Sequence, residues 1–168
     1  MSQLSQSVTG TRVPQDPLLE RREYTTPRRL LYVEDTLATL EMVRLMLARR
    51  TNLDVTTAIL GQSGLELARA VRPDMVVLDL HLPDIGGDEV MRQLLSDRTT
   101  REIPIVILSA DATPNQLDRL LRLGARAYLT KPVSMRTLLE TVDRHIEPLG
   151  EPVRTQVPLS QRWATPPK

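Results

Sequence analysis

Met75-Val76-Val77-Leu78-Asp79-Leu80-His81-Leu82-Pro83-Asp84 is the stretch on which the fold turns. Its apolar run carries Met, Val and Leu on both parities, the pattern of a strand buried on both faces. Asp79 ends the run, and Pro83, Gly86 and Gly87 follow as a turn. In an open α/β sheet, ligands bind beyond the carboxyl ends of such strands. An Asp there also suits simple capping of the next loop. Its companions along the chain decide between the two.

The sequence on either side alternates short apolar runs with helical periods. Residues 29–33 predict a first strand, and 36–50 a helix with Leu37, Leu40, Val43 and Leu47 on one face. Residues 54–58 predict a second strand. Ser63-Gly64-Leu65-Glu66 has the form of a capping box opening a helix to about Val71. The central strand, 74–79, precedes a helix over 87–96. Residues 103–108 predict a fourth strand, with Pro104 tolerable only near its start. Thr113 and Pro114 suit the N-cap and first position of a helix that ends before Gly124. Residues 126–129 predict a fifth strand, and Ser134 caps a last helix to about Ile146. Strands alternating with helices in this way imply parallel βαβ units: an α/β fold with a doubly wound, five-stranded parallel sheet. Strand order is not fixed by the sequence.

Composition narrows the function classes. With 22 basic and 21 acidic residues, the chain has no electrostatic footprint for nucleic acid or an anionic membrane. It has no cysteine, so disulfide and thiolate metal sites are excluded. No apolar stretch approaches the roughly 20 residues that span a bilayer. Residues 1–10 lack the basic and apolar regions of a signal peptide, so a cytoplasmic protein is expected. Residues 1–27 and the Pro-rich 148–168 show no sustained apolar period, and both are expected to be flexible extensions of a domain at 28–147.

Parallel strands present their carboxyl ends on one edge, and several polar groups fall there. Glu34 and Asp35 follow the first strand, Asp79 ends the third, Ser109 ends the fourth and Lys131 follows the fifth. Three carboxylates in one pocket repel each other and call for a cation. Oxygen-only ligands suit Mg²⁺, which keeps several waters and takes phosphate oxygens as ligands. A Lys ammonium and a Ser hydroxyl can hold phosphoryl oxygens. A carboxylate can also attack phosphorus to give an aspartyl phosphate.

Four segments carry a family resemblance: Leu30-Leu31-Tyr32-Val33-Glu34-Asp35, Val76-Val77-Leu78-Asp79-Leu80-His81-Leu82-Pro83, Ile105-Val106-Ile107-Leu108-Ser109-Ala110 and Gly124-Ala125-Arg126-Ala127-Tyr128-Leu129-Thr130-Lys131-Pro132. In this order and spacing, over about 28–147, the chain resembles the receiver domain of two-component response regulators. The resemblance implies a flavodoxin-like (βα)5 fold. It implies that Asp79 accepts a phosphoryl group from a sensor histidine kinase or a phosphotransfer protein. Mg²⁺ would be held by Glu34, Asp35, Asp79 and the backbone carbonyl of His81. Lys131 and Ser109 would bind the phosphoryl group, small Ala110 would leave room for it, and Lys131-Pro132 would be cis. His81 and Asp111 would shape access of the water that removes the phosphoryl group. Tyr128 would be a switch aromatic whose rotation repacks the face formed by the fourth helix, fifth strand and fifth helix, which a downstream protein partner reads. Against it stands the plainer reading of Tyr128 as a half-buried packing residue. Thr36 replaces a frequent polar amide of the family, and Ser109 stands where Thr is also common; neither change removes the chemistry.

The chain ends without room for an output domain after the last helix, so a stand-alone receiver is expected. The alternatives are the receiver segment of a hybrid histidine kinase and a phosphorylation-independent scaffold whose tails bind partners. Trp163, alone in the Pro-rich tail, is either an interface anchor or a tail residue without a partner. A phosphatase of the haloacid-dehalogenase type is a more remote alternative, because it would carry an Asp where His81 stands, so no enzyme activity is expected. Asp118, Arg119, Arg122, Arg136, Asp143 and Arg144 give the last two helices mixed charge, read as a solvated surface on a monomer or a weak phosphorylation-dependent dimer.

Overall fold

The computed structural model describes residues 21–111 and 113–146, with the backbone alone at 154–155. Strands and helices alternate as β1 (Arg22–Val33), α1 (Leu37–Leu47), β2 (Arg50–Ala58), α2 (Gly61–Val71), β3 (Met75–Asp79), α3 (Gly87–Ser96), β4 (Ile105–Ser109), α4 (Pro114–Leu123), β5 (Ala127–Thr130) and α5 (Met135–His145), followed by the short β6 (Arg154–Thr155). β1 to β5 form a parallel sheet in the order β2-β1-β3-β4-β5. This is the expected doubly wound α/β fold. Chain order reverses at β1 and β3, which opens a crevice at their carboxyl ends.

The strands read as buried because they are covered on both sides. Every residue of β3 and of β4 is buried. β1 divides by parity: Leu30 and Tyr32 join a core with Leu40, Val43 and Leu47 of α1 and Leu138 and Val142 of α5. Leu31 and Val33 join the opposite core, with Leu65 of α2, Met91 of α3 and Leu120 of α4. Among the described residues, no helix is long and apolar enough to cross a membrane.

Several boundaries differ from expectation. β1 begins at Arg22, not at 29, so residues 22–27, expected in a flexible extension, belong to the sheet. Tyr24 there is fully buried. A Thr-Thr-Pro sequence conceals this strand: β1 slips against β2 between Glu23 and Arg28, and the period-2 pattern breaks with the register. α1 stops at Leu47, and Arg50 enters β2. Leu37, expected on the buried face of α1, is 69% exposed, and Leu40, Val43 and Leu47 alone make that face. α2 starts at Gly61, two residues before the expected capping box. β4 starts after Pro104 rather than at 103. Ser134 caps α5 as expected, its Oγ accepting from the Thr137 N–H at 3.0 Å.

Asp143, read as part of a solvated surface, is drawn inward instead, with its side chain 7% exposed. Arg50, whose side chain is fully buried, donates to both Asp143 oxygens at 2.8 Å. Arg22 Nη1 and the Tyr24 hydroxyl add donors at 2.9 Å each. The early part of β1, the start of β2 and the last turn of α5 are thus tied together at the amino-terminal end of the strands. β6 lies antiparallel to β1 there, pairing Arg22 with Thr155 and Glu23 with Arg154. The rest of the expected extensions, including Trp163, lies outside the described residues.

Candidate functional site

The site follows from register. β1 and β3 are paired with Val33 opposite Leu78, so Glu34 and Asp35 emerge beside Asp79. β4 and β5 are paired with Ser109 opposite Thr130, which brings Lys131 alongside Ser109; the Lys131 N–H donates to the Ser109 carbonyl at 2.9 Å. One oxygen from each of Glu34, Asp35 and Asp79 lies within 4.8 Å of the others. Glu34 is fully buried, Asp79 nearly so, and Asp35 is exposed. An oxygen-only cluster of this kind, open on one side, matches the donor set that hard divalent cations take.

Lys131 closes the cluster from the β5 side. Its Nζ reaches Glu34 Oε2 at 2.5 Å and Asp79 Oδ2 at 2.7 Å. Burial works against the ammonium, but the hydrogen bonds and charges of Asp79 and Glu34 outweigh it and raise its pKa above the usual lysine range. The Lys131–Pro132 peptide is cis. Asp79 Oδ1 accepts from the His81 N–H at 3.1 Å. The exposed His81 ring holds Nδ1 3.5 Å from Ser109 Oγ and 3.9 Å from Asp79 Oδ1. Ser109 Oγ accepts from the Asp111 N–H at 3.2 Å, and the half-buried Tyr128 donates its hydroxyl to the Asp111 carbonyl. Ala110 is exposed between Ser109 and Asp111. The residues singled out in the sequence therefore form one continuous array, from Glu34 at one end to Tyr128 at the other.

The loop after β3 is held at two points. Gly87 N–H donates to the Leu80 carbonyl at 2.9 Å, and a Cβ on Gly87 would fall 2.1 Å from the Asp79 carbonyl oxygen. The Asp84 carboxylate accepts from the N–H groups of Gly61 and Gln62, both at 2.8 Å, capping α2 from across the molecule. The backbone bond from Gln62, with those from Ile85 and Gly61, keeps the Asp84 carboxyl below the usual range. Ser63 leaves that role and donates instead to the Leu60 carbonyl.

Three contributors escaped the sequence reading: Asp84, the Thr36 amide, which donates to Glu34 Oε1 at 3.3 Å, and Tyr32. The Tyr32 hydroxyl donates to Glu34 Oε2 at 3.1 Å from a fully buried position. Burial first, then the Glu34 charge, raise its pKa and keep it a donor. A signal for Tyr32 was present: a phenol in a strand covered on both faces needs a partner, and two residues on is Glu34, on the same face.

Comparison with known proteins agrees with this geometry. The sequence pattern of the family described as response regulator receiver domain matches residues 30–143. The polar-differentiation response regulator DivK of Brucella anthropi is 30% identical over 120 residues, 71% of this chain and 97% of that protein. Protein PilH of Pseudomonas aeruginosa is 36% identical over 115 residues, 68% of this chain and 94% of that protein. Among solved structures, the receiver domain of the sensor histidine kinase PA1611 from Pseudomonas aeruginosa, with magnesium coordinated in its active-site cleft, superposes with a TM-score of 0.65. It is 26% identical and covers 72% of this chain and 98% of that one.

Proposed function

This chain belongs to the response regulator receiver family, and on that footing we propose that it is a phosphoacceptor: Asp79 takes a phosphoryl group from a histidine kinase or a phosphotransfer protein and passes the signal to a protein partner. One observation carries the reading: Glu34, Asp35 and Asp79 converge to within 4.8 Å, with Lys131 Nζ bridging Glu34 and Asp79. An Asp79 carboxylate oxygen attacks phosphorus, the phosphorus–nitrogen bond to the donor imidazole breaks, and that nitrogen leaves as neutral imidazole once protonated. Lys131 and Ser109 neutralise and orient the transferred group. The residues present fit Mg²⁺, which Glu34, Asp35, Asp79 and the His81 carbonyl would hold and which supplies charge neutralisation at the phosphoryl oxygens.

His81 and Asp111 border Ser109 on its open side and would govern access of water to the aspartyl phosphate. The contact of Tyr128 with the Asp111 carbonyl supports a switch role, since a shift of Ser109 would be felt at Tyr128 through Asp111. The kinship with DivK and PilH, nearly the whole length of which this chain matches, supports a single-domain role, which we place in the cytoplasm with a protein target.

Intact mass after incubation with Mg²⁺ and acetyl phosphate tests the central claim. One phosphoryl adduct is expected on the wild type, and none on Asp79→Asn. A folded wild type that gains no adduct from acetyl phosphate or phosphoramidate would overturn the assignment.

A further inference from the structure

Glu34 Oε2 receives two donors of different kinds. Lys131 Nζ reaches it at 2.5 Å from a flexible stem that is shared with Asp79. The Tyr32 hydroxyl reaches it at 3.1 Å from a ring locked in the core. Tyr32 cannot follow Lys131 when that side chain moves, because it is fully buried in the core that also holds Leu40, Val43, Val77 and Leu138. The other Glu34 oxygen is braced by the Thr36 amide. Glu34 is therefore gripped from below by a donor that is rigid, neutral and directional.

A strand buried on both faces has no need of a phenol. Leu30, on the same face of β1, fills the same core with an aliphatic side chain. The hydroxyl of a buried Tyr is costly unless it is bonded, and here the bond goes to a member of the acidic cluster. Hydrogen-bond partners behind a metal ligand fix its orientation, and their loss typically weakens metal binding by about ten- to a hundredfold.

We propose that Tyr32 is a positioning residue for the acidic site, holding the Glu34 carboxylate in place for a divalent cation while Lys131 turns toward the phosphoryl group. The inference rests on the phosphoacceptor reading above. Tyr32 touches neither the reacting atoms nor the cation; it acts through Glu34.

The test is Mg²⁺ affinity of the full chain, by calorimetric titration, for the wild type and for Tyr32→Phe, Tyr32→Leu and Tyr24→Phe. Tyr24 provides the control, because it is equally buried and its hydroxyl also bonds a carboxylate, Asp143, but at the opposite end of the sheet. The expected result is about a tenfold rise in the Mg²⁺ dissociation constant for Tyr32→Phe, with Tyr24→Phe at the wild-type value. Wild-type affinity in a folded Tyr32→Phe or Tyr32→Leu protein would overturn the proposal. So would an equal loss in Tyr32→Phe and Tyr24→Phe, which would mark general loosening of the core. A wild-type chain that binds no Mg²⁺ would overturn the metal reading itself, and this inference with it.

Discussion

Gly86 and Gly87 stand side by side after β3, yet the structure asks very different things of them. A Cβ at Gly86 meets only the Asp88 side chain, at 2.9 Å, which can swing away. At Gly87 it meets backbone, the Asp79 carbonyl oxygen at 2.1 Å and Leu80 Cα at 2.7 Å, so the end of the strand that carries Asp79 would have to shift. Gly87→Ala is expected to cost about 1–3 kcal/mol, as overpacking does, and Gly86→Ala much less. Urea midpoints of the two variants, at unchanged m-values, check this. The sequence marks both glycines only as turn residues, since the difference lies in what approaches them. Asp79, Glu34, Asp35 and Lys131 were legible because they follow successive strands together, in one order and spacing, where each alone would read as a loop cap. Tyr32 was not, because an aromatic in a strand reads first as packing.

Among the elements, those whose signals are local were read well. Ser134 caps α5 from its own turn, and α4 opens at Pro114 where expected, although Thr113 before it makes no side-chain capping bond. α2 was misread because its cap, Asp84, comes from beyond the following strand, and no pattern around Ser63 reveals it. Asp97 makes a similar remote link, closing the end of α3 onto α2 through Arg69 Nε at 2.8 Å. Its hydrogen bond from Arg69, with those from the Thr99 N–H and hydroxyl, holds its carboxyl down to about 2. Because the folded-state value lies below the unfolded one, this group stabilises the fold above the ordinary carboxylate range. That stability is lost as pH falls from about 5 toward 2. Wild-type protein should therefore lose stability across that window more steeply than Asp97→Asn, as read from thermal melts at pH 5, 4, 3 and 2. Parallel slopes would show that the link to Arg69 does not persist in solution.

At the scale of the whole molecule, sequence alternation was enough to give the sheet and its two helical layers, while strand order and the start of the sheet were not. The missing part is the ionic cluster of Arg22, Tyr24, Arg50 and Asp143, drawn from three segments far apart along the chain. Each reads alone as an ordinary surface residue; only their meeting buries them. Asp143→Asn removes the carboxylate charge that faces the fully buried Arg50 guanidinium and should cost about 3–5 kcal/mol, as breaking a buried ion pair does. Chemical denaturation of that variant measures it, and a loss under about 1 kcal/mol would mean that the cluster is solvated. β6 adds one more consequence. Because Thr155 faces Arg22 across an antiparallel pair, the first and last described strands meet at the end of the sheet opposite Asp79. A two-residue hairpin turn is the natural link between strands so arranged. A circular permutant joined there and opened at the exposed Arg101–Glu102 turn would keep the described strand pairings intact, leaving the edge that carries Asp79 blind to where the polypeptide begins.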